Sequence, residues 1–118
     1  MKNLIIKDIG KFVNLDISGF IELSGNFNFD NSDGYFMKIF DWLYDFKYFN
    51  KNDNITIILR ISNLNDETIK NISFIFKMIK NISSVHVDCF YHETDENIRR
   101  LVSNLEKIVS IKFNYYLV

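Results

Sequence analysis

The run Ile55-Thr56-Ile57-Ile58-Leu59-Arg60-Ile61 decides the fold class of this chain. It is an almost continuous series of β-branched and aliphatic residues, which is typical of a central strand covered on both faces. A polar break over residues 63–67 follows it. Beyond this break, apolar residues recur at helical spacing, at Ile69, Ile72, Ile75, Phe76, Ile79 and Ile82. We therefore predict a central strand followed by a largely buried helix over Asp66–Lys80.

Upstream of this unit, the sequence predicts a β-hairpin and a first helix. Apolar and polar residues alternate over Phe12–Ile17 and again over Phe20–Gly25, on either side of Ser18-Gly19. This alternation indicates two strands that share one buried face. A helix is predicted over Tyr35–Lys47, and its core-facing residues are Phe36, Ile39, Phe40, Leu43 and Phe46.

Downstream, a strand over Val85–Tyr91, a more polar helix over Asp95–Lys107 and a last strand over Ile111–Leu117 complete the pattern. Strands that alternate with helices of this length predict parallel strands joined by right-handed crossovers. The predicted fold is α/β, with a mixed, mostly parallel sheet of about five strands, an N-terminal β-hairpin and three main helices. Because 118 residues suit one domain and no repeat or linker interrupts them, we expect a single domain over residues 1–118.

The composition argues against several classes of partner. Hydrophobic residues make up 47% of the chain, which is enough for a stable core, and the formal net charge is −1 with the basic residues scattered. Without a basic stripe, we expect neither nucleic-acid binding nor membrane insertion. The single cysteine, Cys89, and the lack of a charged-then-apolar leader at Met1 predict a cytoplasmic location.

The candidates for chemistry are few. His92, Glu93 and Asp95 lie close together, but a zinc or iron site needs three or four convergent ligands, and acids at a helix start are explained by the helix dipole. Cys89 lies in the middle of a predicted strand, where inert packing is the simpler interpretation. No glycine-rich phosphate-binding motif is present. We therefore predict no enzyme, and no catalytic residue, metal or cofactor.

The first predicted helix carries more aromatic residues than its core face can hold. Tyr35, Trp42, Tyr44, Tyr48 and Phe49 cannot all turn inward from one helix of this length, so some must be exposed. Exposed Trp and Tyr side chains often mark a protein interface. We predict that Trp42 and its neighbours lie partly at the surface and contact a partner. The alternative is that the N-terminal arm, residues 1–10, packs over them.

Four separated motifs resemble one known family. Phe12-Val13-x-Leu15-Asp16 and the stretch of residues 19–25 after it are similar to the opening of the SiaC family of bacterial regulatory phosphoproteins. The other motifs follow in the family's order, as Asp41-Trp42-Leu43, Asn65-Asp66-Glu67-Thr68-Ile69-Lys70, and residues 85–91 with Asp95 and Glu96 beyond them. The resemblance extends from Phe12 to about Phe113.

This resemblance implies a STAS-like fold and a role in partner switching. A serine/threonine kinase and a PP2C-type phosphatase would set the phosphorylation of the segment 65–68, and the unmodified protein would activate a diguanylate cyclase. It implies a regulatory segment formed by Asn65, Asp66, Glu67 and Thr68. The predicted partner-binding residues are Tyr35, Trp42, Asn65, Asp66 and Thr68.

The regulatory segment departs from the family's pattern of one Thr and two Ser. Asp66 and Glu67 replace the Thr and the first Ser, so that Thr68 is the segment's only hydroxyl. If Asn65 caps the helix, Thr68 is its third residue, where its side chain can remain accessible to a kinase. Because phosphate there would meet the charges of Asp66 and Glu67, we predict that Thr68 is a poor phosphoacceptor. The acids either mimic a modified state or are ordinary helix N-terminal residues. Two functions remain open, a phosphorylation-controlled adaptor and a constitutive protein-binding module that has lost the switch.

Overall fold

The computed structural model describes residues 1–30, 34–92 and 94–118 of the chain. The described residues form one six-stranded sheet and three helices. The elements are β1 (Leu4–Asp8), β2 (Lys11–Asp16), β3 (Phe20–Phe27), α1 (Tyr35–Phe49), β4 (Asn54–Leu64), α2 (Asp66–Lys80), β5 (Ser84–Tyr91), α3 (Glu96–Val109) and β6 (Phe113–Leu117). The predicted α/β class, the N-terminal hairpin and the three helices are confirmed.

The sheet keeps its strands in chain order, from β1 at one edge to β6 at the other. β1, β2 and β3 pair antiparallel, whereas β3, β4, β5 and β6 run parallel. Each crossover therefore moves one strand further in the same direction. Right-handed crossovers in one direction place α1, α2 and α3 on the same side of the sheet. No helix of the described residues lies on the opposite side of the sheet, which we call the open face.

The prediction that both faces of the central strand are covered is wrong. In β4, Ile55, Ile57 and Leu59 are buried beneath the helices, while Ile58 is half-buried and Arg60 is exposed on the open face. The residues of the open face follow the two-residue period of a strand. The sequence of β4 does not show this period, because isoleucines occupy positions on both faces of the strand.

The sheet has one more strand than the sequence predicted. Residues of the N-terminal arm form β1, which pairs with β2 from Leu4 opposite Leu15 to Asp8 opposite Lys11. The turn between the two strands contains Gly10, whose φ of 77° favours glycine. The short, partly charged β1 lacked the apolar pattern of a buried strand because it lies at an edge.

A single core lies between the sheet and the helices. Its buried apolar residues come from all three helices and from β2 to β6, while Leu4 and Ile6 of β1 are partly buried against it. The buried residues include Phe36, Leu43, Ile57, Ile72, Phe76, Leu105 and Phe113. The predicted burial of α2 is confirmed, since its residues Ile69, Ile72, Ile75, Phe76 and Ile79 are all buried. None of the helices in the described part of the chain is both long and apolar enough to cross a bilayer.

Candidate regulatory and partner-binding site

The start of α2 is closed by a reciprocal capping arrangement. Asn65 is the cap, and its Oδ1 accepts a hydrogen bond of 2.8 Å from the backbone N–H of Thr68. In return, Thr68 Oγ1 accepts from the backbone N–H of Asn65 at 3.1 Å. The Thr68 hydroxyl also donates to the carbonyl oxygen of Asn65 at 3.1 Å. The predicted cap is confirmed, and the two side chains satisfy two backbone N–H groups, those of Asn65 and Thr68, that a helix start otherwise leaves without a partner.

The same asparagine connects α2 to the chain that follows β3. Its Nδ2 donates to Asn28 Oδ1 and to the carbonyl oxygen of Phe29, both at 3.0 Å. The ammonium group of Lys11 lies over the Phe29 ring, 4.3 Å from the ring centre. The side chain of Asn65 therefore links the start of α2 by hydrogen bonds to the segment that follows the hairpin.

The prediction that Thr68 is accessible is wrong, because its side chain has no solvent exposure at all. A threonine at the third helical position turns its hydroxyl back to the cap residue, where the two hydrogen bonds hold it. Asp66 and Glu67, in contrast, are exposed on the first turn. Their carboxylates lie near the positive end of the helix dipole, which stabilises them. The accessible surface of the segment is therefore acidic, and its only hydroxyl lies underneath.

The prediction that Trp42 lies partly at the surface is also wrong. Trp42 and Tyr35 are each 7% exposed. The indole Nε1 of Trp42 donates to the carbonyl oxygen of Lys2 at 2.8 Å, and its ring stacks on Phe46 at 4.7 Å between centres. The alternative, that the N-terminal arm covers the aromatic residues, is therefore correct for Trp42. Any contact of Tyr35 or Trp42 with a partner stays a prediction.

Other aromatic residues of the helices are exposed, as the excess in α1 required. We define the α1–α2 patch by the residues Met37, Phe40, Tyr44, Tyr48, Phe74 and Met78. Tyr44 and Tyr48 are mostly exposed and lie edge to face, with their rings 5.7 Å apart. Phe74 contacts Phe40 across the two helices at 5.2 Å between ring centres. A shallow groove of about 150 Å³ between Tyr44 and Met78 continues this surface.

The sequence predictions missed Met37 and Phe74. Phe74 lies two positions after Ile72 and two positions before Phe76. Two positions along an α-helix correspond to a rotation of about 200° around its axis. Phe74 therefore lies almost opposite the buried stripe of α2 and is 55% exposed. A helical projection of the sequence would have identified it as an apolar residue on the polar side.

The candidates for chemistry do not converge. Cys89 is buried, and desolvation raises the pKa of its thiol to about 12, which disfavours the thiolate at neutral pH. His92 is exposed and bonds to Thr94, and Glu93 lies outside the described residues. Within residues 1–30, 34–92 and 94–118, no group of three His, Cys, Asp or Glu side chains has the geometry of a metal site.

Comparison with protein families agrees with this description. The sequence pattern of the SiaC family of regulatory phosphoproteins matches residues 12–118. The chain belongs to the SiaC family. Among solved structures, apo-SiaC from Pseudomonas aeruginosa is similar, with a TM-score of 0.80 and 18% identity over 98% of both chains. The SiaC chain bound as activator to the diguanylate cyclase SiaD, also from Pseudomonas aeruginosa, has a TM-score of 0.79 and 20% identity.

That second comparison covers 98% of this chain and 99% of the other. At such identities the likeness shows a shared fold. The expected resemblance to the SiaC family is confirmed, together with its regulatory, partner-binding character. Comparison with curated protein sequences found no match.

Proposed function

We propose that the chain is a cytoplasmic regulatory protein that acts by binding a diguanylate cyclase, with the segment Asn65–Lys70 in the contact. The observation that carries this proposal is the start of α2, where the half-buried cap Asn65 and the buried Thr68 close a first turn that exposes the carboxylates of Asp66 and Glu67. Membership of the SiaC family supports it, and so does the similar fold of SiaC from Pseudomonas aeruginosa, which is the activator of the diguanylate cyclase SiaD.

The acidic helix start and the α1–α2 patch belong to one continuous surface. Glu67, Lys70, Phe74 and Met78 are spaced by three or four residues, so that they follow one another along the outer side of α2. The first two are charged and exposed, and Phe74 leads into the aromatic residues of α1. An apolar centre beside a charged rim is the usual composition of a protein interface.

The patch can be tested by alanine substitution. We expect Tyr44→Ala and Phe74→Ala each to weaken binding to the cyclase of the same organism by roughly 30-fold, the loss typical of an interface hot spot. Ile108→Ala is the matched control, because Ile108 is an exposed apolar residue of α3, 49% accessible and outside the patch. Calorimetric titration measures all three affinities. If the three variants and the parent bind with equal affinity, the α1–α2 patch is not part of the interface.

Two forms of control are compatible with this binding role. In the first, a serine/threonine kinase and a PP2C-type phosphatase modify Thr68, and the chain is a switched adaptor. In the second, the chain binds constitutively, and the carboxylates of Asp66 and Glu67 occupy the place of the switch. The zero exposure of Thr68 and the two hydrogen bonds of its hydroxyl favour the second form, because a kinase would have to open the first turn of α2.

Intact-protein mass spectrometry after incubation with the kinase of the same organism separates the two forms. We expect no mass increase, and we expect Thr68→Ala to bind the cyclase as the parent does. The double variant Asp66→Ser, Glu67→Ser should change the affinity more, since it removes two exposed charges. Circular dichroism checks that each variant is folded. Stoichiometric phosphorylation of Thr68, or loss of binding in Thr68→Ala alone, would support the switched adaptor instead.

A further inference from the structure

The outer edge of β6 has backbone groups that no described strand pairs. β6 lies at the end of the sheet and bonds to β5 on one side only. The N–H of Val118 donates to the carbonyl oxygen of Tyr91 at 3.0 Å and so points toward β5. Because the backbone groups of successive residues point to opposite sides of a strand, those of Leu117, Tyr115 and Phe113 point outward.

The first of these outward groups is already used. Glu106 of α3 accepts a hydrogen bond from the backbone N–H of Phe113 and another, of 3.0 Å, from the hydroxyl of Tyr115. The outward N–H of Phe113 therefore already has an acceptor and is not free to pair with another strand. The backbone N–H and C=O groups of Tyr115 and Leu117 remain along the rest of it.

The two edges of the sheet differ in charge. At the opposite edge, β1 carries Lys7 and Asp8, charged side chains of the kind that discourage pairing with another strand. Residues 113–118 contain no charged side chain. Three of them are exposed hydrophobic residues, Tyr116 at 46%, Leu117 at 59% and Val118 at 67%. This edge has the composition of a strand that pairs rather than of one that is protected.

We infer that β6 is a self-association site, at which the strand pairs antiparallel with β6 of a second copy of the chain. With a two-fold axis at Tyr116, Tyr115 lies opposite Leu117 of the partner subunit, and the reverse holds on the other side of the axis. Each of these two pairs exchanges both of its N–H···O bonds. The register uses all four outward groups of Tyr115 and Leu117 and leaves the bond between Phe113 and Glu106 intact.

The side chains are compatible with the same register. On the open face, Tyr116 meets Tyr116 of the partner subunit, beside the Phe90 ring that it already stacks on at 5.1 Å. Cross-strand aromatic pairs of this kind stabilise antiparallel strands. Because residues 113–118 have no charged side chain, the side chains of the two copies meet without like-charge repulsion. A self-complementary, two-fold contact closes after two chains and does not extend into a fibre.

Sedimentation velocity over a series of concentrations tests the inference. The mass should rise with concentration from 14.1 kDa toward twice that value. Leu117→Pro removes an outward N–H but no bond to β5, and proline is tolerated in edge strands, so this variant should stay monomeric. Leu117→Ala, which keeps the N–H, is the matched control and should still dimerise. Hydrogen exchange at the amides of Tyr115 and Leu117 should slow at least tenfold in the dimer.

A second pair of variants covers the case in which Leu117→Pro does not fold. Tyr116→Lys places two ammonium groups opposite each other across the axis and should abolish the dimer, whereas Tyr116→Phe should retain it. A chain that stays monomeric at all concentrations overturns the inference. So does a dimer that both Leu117→Pro and Tyr116→Lys leave unchanged, since it would use another surface.

Discussion

Replacement of Thr68 by valine tests the capping hydrogen bonds that hold the Thr68 side chain buried at the start of α2. Valine has nearly the same shape, so that the buried site stays filled, but it cannot bond to Asn65. The backbone N–H of Asn65 loses its acceptor at 3.1 Å. The carbonyl oxygen of Asn65 loses the hydroxyl but keeps the backbone N–H of Ile69 at 3.0 Å. The first loss should therefore dominate.

A buried donor left without its acceptor costs about 1–3 kcal/mol, and the loss of a typical N-terminal cap about 1 kcal/mol. We expect Thr68→Val to lower the free energy of unfolding by about 1–2 kcal/mol. In a domain of this size, this corresponds to a fall of roughly 4–8 °C in the melting temperature. Urea unfolding at neutral pH, followed by circular dichroism, measures the difference between the variant and the parent.

Ser73→Ala is the matched control, because Ser73 is the other buried hydroxyl of α2. Its Oγ donates at 2.8 Å to the carbonyl oxygen of Lys70, which lies inside the helix and has a backbone partner of its own. Alanine also has the higher helix propensity, so the change should stay within about 0.5 kcal/mol. If Thr68→Val costs no more than Ser73→Ala, the cap does not hold the helix start closed. The hydrogen bonds of Thr68 would then present no obstacle to its phosphorylation.

Three further predictions concern the rest of the chain. Trp42→Phe should lower the free energy of unfolding by about 1 kcal/mol and speed hydrogen exchange in β1, because it removes the bond to Lys2; unchanged exchange would contradict this. Gly25→Ala should cost more than about 2 kcal/mol in urea unfolding, because φ is +102° and a Cβ would lie 2.1 Å from the carbonyl oxygen of Gly10; a parent-like midpoint would refute it. Burial raises the pKa of Cys89 from 9.0 to about 12, so the unfolded chain loses that proton first, and stability should fall as pH rises from 9 toward 12. The measurement is unfolding against pH, and a Cys89→Ala chain with the same slope would show that other groups are responsible.

The candidate site was predicted only in part. Asn65 as the cap of α2 and Asp66 and Glu67 as exposed acids follow from local rules, because a helix start is decided by the residues within one turn of it. The burial of Thr68 does not follow from its spacing alone, since it depends on the hydroxyl's turning back to the cap. The exposure of Phe74 follows from helical geometry, because Phe74 is rotated by about 200° from the buried Ile72.

The sequence by itself determined the order of the elements, the three helices and the parallel arrangement of β3 to β6. Each of these depends on periodicity within a short window and on the handedness of crossovers, which are local properties. Only the tertiary structure decided which surfaces are covered. The N-terminal residues form an edge strand, and the carbonyl oxygen of Lys2 accepts a hydrogen bond from Trp42, 40 positions away. All three helices lie on one side of the sheet, although its central strand has apolar residues on both faces. Such outcomes depend on contacts between residues far apart in the chain, and no local pattern encodes them.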